Sequence, residues 1–137
     1  MGTWNYGIFD NDDAYDFVEE IKKDAEEFFA RAFNLAGGSE IDSDLGVAML
    51  VSAAYLDNYI NGTEYRIDGD FGKHSVNNYK SFAKIDESDL GEWKAKAVHS
   101  LNKVLSKNSE LRELWEENEE LYPKWKKMVE ELINRLK

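Results

Sequence analysis

Between Leu45 and Leu56 the chain reads Leu-Gly-Val-Ala-Met-Leu-Val-Ser-Ala-Ala-Tyr-Leu, with no charged residue. As a helix this run is apolar nearly all round and has no polar face to offer water, so it must be enclosed by other elements. It is too short to span a bilayer, which takes roughly 20 residues. The pattern predicts a central helix from Asp44 to Asn61. Ser43 or Asp42 would cap its start and Asn61-Gly62 would end it, since short polar side chains satisfy free N–H groups and glycine takes the left-handed turn that closes a helix. The rest of the chain has to supply the cover.

The flanking segments are amphipathic. Ala14, Phe17, Val18, Ile21, Ala25, Phe28, Phe29, Ala32 and Ala36 recur at steps of three and four, which predicts one long first helix from about Asp12 to Ala36, stopped by Gly37-Gly38. A third helix is expected over Ser88 to Ser106, with Leu90, Trp93, Ala97, Leu101, Val104 and Leu105 as its stripe. A fourth begins after Ser109, with Leu111, Leu114 and Trp115 inward. Pro123 marks a fresh start, because proline suits the first turn of a helix and not its interior. The fifth helix, to Leu136, buries Trp125, Met128, Val129, Leu132 and Leu136. Residues 62–87 hold Gly62, Gly69, Gly72 and Asn77-Asn78 and keep no period. They are expected to form a long irregular loop, or a small hairpin of Thr63 to Ile67 with Val76 to Phe82. Ahead of the first helix, Trp4, Tyr6 and Phe9 alternate with glycines as an extended lead-in. The expectation is a single all-α domain over residues 1–137, an irregular bundle of about five helices with an extended N-terminal segment and one long loop.

Four Trp, seven Tyr and seven Phe supply bulky core material. No cysteine is present, which excludes disulfides, thiolate metal sites and cysteine nucleophiles and fits the cytoplasm. The opening residues lack the basic start and apolar core of a secretory signal, so a cytoplasmic protein is expected. The formal net charge is −11. That charge repels nucleic acid and anionic membrane and favours a basic protein partner. Glu116, Glu117, Glu119 and Glu120 form an acidic run near the fourth helix, and with Glu19, Glu20, Glu26 and Glu27 they could present a negative face. The alternative is a set of solvated helix faces, partly offset by Lys124, Lys126 and Lys127.

Asp10, Asn11, Asp12, Asp13 and Asp16 cluster at the start of the first helix. Carboxylates there cap backbone N–H groups and suit the helix dipole. The same oxygens could instead hold Ca²⁺ or Mg²⁺, which makes Asp10, Asp12, Asp13 and Asp16 the metal-ligand candidates. Asp68-Gly69-Asp70-Phe71-Gly72 fails as a calcium loop, because Gly72, Lys73 and Tyr79 stand where it needs an acid, a glycine and a glutamate. Asp42-Ser43-Asp44-Leu45-Gly46 fails likewise, so both read as turn chemistry. His74 and His99 have no histidine or glutamate at helical ligand spacing. His74 could pair with Ser75 or Asp70, with nothing in the sequence to hold that geometry. No nucleophile elbow, phosphate loop or dinucleotide fingerprint occurs, and no cofactor is expected.

The opening carries Gly2, Trp4, Gly7, Phe9, Asn11, Asp12, Ala14 and Asp16 in the spacing Gly-x-Trp-x-x-Gly-x-Phe-x-Asn-Asp-x-Ala-x-Asp. In this it resembles the bacterial family catalogued as domain of unknown function 4259. The small-residue helix around Gly46 to Tyr59, the segment Ser109 to Trp115 and Trp125 extend the resemblance to the middle and end of the chain; Gly62 to Glu87 falls outside it. The resemblance implies a helical domain of bacterial type and brings no catalytic residues.

Three functions compete. The first is a protein-binding module, in the manner of an immunity protein or other inhibitor of a basic toxin or nuclease, steered by charge. The second is a metal-dependent enzyme built on the N-terminal Asp cluster, with 62–87 as a lid. The third is a homo-oligomeric structural protein with Trp93, Trp115 and Trp125 at an interface, although tryptophans in apolar stripes are commonly core.

Overall fold

The computed structural model describes residues 7–9, 12–34, 40–66 and 75–137, without the side chains of Asp12, Asp13 and Tyr15. Among them the chain forms seven α-helices and no strand: α1 Asp12–Lys23, α2 Ala25–Asn34, α3 Ser43–Asn61, α4 Tyr79–Phe82, α5 Leu90–Val104, α6 Glu110–Glu116 and α7 Tyr122–Leu136.

The uncharged run lies in α3, and every residue from Gly46 to Asn58 is buried. All six other helices pack on it. The Asp42 carboxylate caps it by accepting from the Leu45 N–H at 2.8 Å. Gly62 closes it at φ 73°, a conformation open to glycine, and donates to the Asn58 carbonyl. Gly46 is fixed by close approach instead. A Cβ there would lie 3.1 Å from Leu111 Cβ and Cδ2, so α6 can come this near to α3 only over glycine.

A short parallel bridge sets that approach. The Ile41 N–H donates to the Asn108 carbonyl at 2.9 Å and the Glu110 N–H to the Ile41 carbonyl at 2.8 Å. Ser109, fully buried, caps α6 through the Arg112 N–H. Glu110 reaches back to accept from the Ser43 N–H at 2.7 Å. The starts of α3 and α6 are thus tied side by side by their own caps.

The expected first helix is two. Arg31 meets Glu20 at 2.9 Å and the rings of Phe17 and Phe28 lie 5.3 Å apart. Each pair is eleven residues apart, about 16 Å along a straight helix, so the chain bends at Asp24. The Asp24 carboxylate accepts from the Glu27 N–H at 3.1 Å and starts α2 afresh. The bend lets both halves pack on α3. Gly37-Gly38 lies outside the described residues.

The hairpin alternative for 62–87 is also corrected. Val76–Asn78 is a 3-10 turn that runs into α4. A side chain takes the place of a strand partner: the Asn77 carboxamide accepts from the Tyr65 N–H at 2.7 Å and donates to the Tyr65 carbonyl at 2.8 Å. This split of the first helix, with α4, raises the count from about five to seven.

Leu90, Trp93, Ala97, Leu101 and Val104 line the inner side of α5 as expected, and Trp125, Val129, Leu132 and Leu136 that of α7. Burial of each large side chain stabilises the fold by roughly 1.5–3 kcal/mol. Leu114 is a correction: it was expected inward and is 52% exposed. Helix α6 has only seven residues and meets the core along the line of Leu111 and Trp115, four apart on one face. Leu114 falls beside that line.

Candidate functional site

Two polar features stand out, one buried and one at the surface. The buried one begins at Asp57, a single residue beyond the uncharged run and wholly enclosed. Its Oδ2 accepts from the Tyr65 hydroxyl at 2.6 Å and from Arg135 Nε at 2.8 Å. Its Oδ1 accepts from Asn61 Nδ2 at 2.8 Å, and the same amide donates to the Arg135 carbonyl at 3.2 Å. A buried carboxylate is tolerable when paired and hydrogen-bonded in this way. The network ties α3, the 62–66 segment and the end of α7 to one side chain. Burial first, and then the hydrogen bond to Asp57, pushes the Tyr65 phenol far above its ordinary value. Phe9 packs edge-on to Tyr65 and Tyr55 at 6.0 and 6.3 Å, so this residue rests on the same knot.

The surface feature is the corner between α6 and α7. Glu116, Glu117, Glu119 and Glu120 are all exposed there. Asn118 shapes the turn: its N–H donates to the Trp115 carbonyl at 2.9 Å, and its Oδ1 accepts from the Leu121 N–H at 3.0 Å. Among the described residues Glu116 alone of the four has an ion-pair partner, Arg112 at 3.3 Å. Lys124, Lys126 and Lys127 make no ion pair with these glutamates among the described residues. Beside the carboxylates lie exposed Leu114 and half-buried Trp115 and Tyr122, the two rings stacked on buried Trp125 at 6.0 and 6.2 Å. Carboxylates next to accessible aromatic faces suit lysine and arginine side chains, by charge and by cation–π contact.

The other acidic residues do not all join this corner. Glu26 accepts from Trp93 Nε1 at 3.2 Å, while Glu20 and Glu27 flank Arg31 at 2.9 and 3.9 Å; Glu19 is exposed on α1. Trp93 and Trp125 are core and Trp115 lies at the boundary. Of the metal candidates, Asp16 is exposed on α1, the Asp12 and Asp13 side chains are not among those described, and Asp10 lies outside the described residues, as does Asn11. No three His, Asp or Glu side chains among the described residues are grouped to hold a metal ion. Gly2, Trp4, His74 and Asp68 to Gly72 are also outside; His99 is exposed on α5. Of the remaining N-terminal motif, Phe9 and Ala14 are buried and Gly7 lies at a bend just before Phe9.

Fold and surface together define, among the described residues, an all-helical protein whose central helix is buried from Gly46 to Asn58 and which carries an acidic, aromatic corner. The chain belongs to the family described as Domain of unknown function (DUF4259), whose model matches residues 2–128. That match runs through 62–87, the segment left out of the sequence resemblance. No curated protein and no solved structure matches the chain. No helix among the described residues is long and apolar enough to cross a membrane.

Two outcomes follow from the buried network. Asp57→Ala leaves Arg135 and Tyr65 without their acceptor and should cost about 3 kcal/mol in urea unfolding, the low end for a broken buried pair because Arg135 reaches solvent. Asp57→Asn loses the charge but keeps one acceptor oxygen and should cost less; a loss for Asp57→Ala no larger than that of an ordinary surface substitution, about 0.5 kcal/mol, would contradict the pairing. The second outcome concerns alkaline pH. Burial holds the phenols of Tyr55, Tyr65 and Tyr79 far above their usual value. In the unfolded chain they ionise near pH ~10, so this stabilisation is intact below that pH and is lost as pH rises beyond it. Tyrosinate absorbance should show these three ionising together with loss of helical circular dichroism. A smooth titration of all seven tyrosines with the helices intact would refute it.

Proposed function

We propose that this protein is a binding module for a basic protein, in the manner of an immunity protein or other inhibitor of a basic toxin or nuclease. We read it as a cytoplasmic protein of bacterial type. The observation that carries the proposal is the α6–α7 corner, where exposed Glu116, Glu117, Glu119 and Glu120 share one short stretch of chain with exposed Leu114 and half-buried Trp115 and Tyr122. A net charge of −11 speeds encounter with a cationic partner and makes it sensitive to salt. Aromatic side chains within an acidic surround supply the apolar contact that charge alone lacks, and such residues dominate binding energy at interfaces.

The test is a pull-down from lysate of the source cell, with the wild-type chain and a variant carrying Glu116→Gln, Glu117→Gln, Glu119→Gln and Glu120→Gln as parallel baits. One basic protein held by the wild type at low salt, released at higher salt and missed by the variant supports the reading. No basic protein held by the wild type, or equal capture by both baits, overturns it.

A further inference from the structure

We propose that the groove between α1, α2 and α3 seats an amphipathic basic helix of a partner protein, a surface separate from the α6–α7 corner. The inference rests on the basic-partner reading above and adds where the partner's apolar face goes. The groove holds about 510 Å³ and is lined by Phe17, Phe28, Ala30, Ala32, Leu45 and Ala48. That volume lies within the range of about 300–1,000 Å³ typical of binding clefts. Three alanines make the hollow, since a larger side chain at any of them would partly fill it. The bend at Asp24 makes the wall, because it brings Phe17 of α1 against Phe28 of α2.

The rim selects the occupant by charge. Among the described residues it carries the carboxylates of Glu20, Glu27 and Asp44 against a single guanidinium, Arg31. Arg31 lies between Glu20 and Glu27 and over the Phe28 ring, 5.6 Å from its centre, so its charge is already spent on two of the three acids. Asp44 stands at the first turn of α3, exposed. An apolar floor with a net acidic rim fits a helix that carries apolar residues at i, i+3, i+4 and i+7 between lysines and arginines. It disfavours an anionic lipid, and a second copy of a chain with net charge −11 would be repelled.

The probe is a synthetic Leu/Lys peptide with leucines on one helical face. The control has the same composition in an order with no apolar face. Each is titrated into the full chain by fluorescence anisotropy. The wild type is expected to bind the amphipathic peptide saturably and at least about tenfold more tightly than the control. Ala30→Trp, which fills the groove, and Glu27→Lys, which reverses part of the rim, should each remove most of that preference. Glu27 is exposed, so its variant serves even if the tryptophan is not accommodated; circular dichroism verifies that each remains helical. Equal affinity for the two peptides, or a preference unchanged in both variants, overturns the groove as the seat. A preference lost only in the four-glutamine corner variant also overturns it, while leaving the basic-partner reading in place. That reading stands or falls separately, on the pull-down.

Discussion

Burial of α3 from Gly46 to Asn58 is the constraint on which the rest of this structure depends. A helix without a polar face cannot lie at a surface, so its six neighbours are arranged as cover. Each neighbour needs only one apolar stripe, which leaves its outer side free to carry charge. The acidity of the chain and the apolarity of its centre are therefore two sides of one arrangement. Where cover must be thin, small residues permit it: Gly46 lets α6 approach α3, and the Asp24 bend folds a long amphipathic segment back over the core.

Polar groups pin this cover in place. Asp42, Ser109 and Glu110 cap two adjacent helix starts and join them. At the other end of α3, Asp57 collects the 62–66 segment and the end of α7. Apolar burial supplies most of the stabilisation but specifies geometry weakly. The caps and the Asp57 network add the direction that greasy contacts lack.

Much of the helical layout was legible in the sequence because it follows from period and punctuation. Trp93, Ala97 and Leu101, or Trp125, Val129 and Leu132, fall in helical phase, and Asp42, Ser109 and Pro123 mark starts by their own chemistry. Tertiary contacts decided what period could not. Asp24 sits in an unbroken stripe and still starts a new helix, through one side-chain hydrogen bond. Leu114 has the phase of an inward residue, but α6 touches too little of the core to cover it. Asn77 replaces a strand by pairing its side chain with the backbone of Tyr65, which no alternation pattern records. Asp57 is the first charged residue after the uncharged run. Its phase, seven residues after Leu50 and so on nearly the same face, was the available sign that it stays inside. Of the candidate site, the glutamates at 116–120 were visible as a run, whereas Asn118 as organiser of their turn and Leu114, Trp115 and Tyr122 as their companions required the fold.

The functional reading inherits this division. The interior is committed to stability, so recognition is assigned to what the cover leaves outside, the acidic corner and the rimmed groove. Native-state hydrogen exchange tests the central claim, that α3 is the enclosed hub, most directly. Amides from Val47 to Asn58 should be the slowest in the protein and exchange only through global unfolding, with an opening free energy equal to that from denaturant unfolding. Exchange of these amides faster than those of α5 or α7, by local opening, would contradict the account.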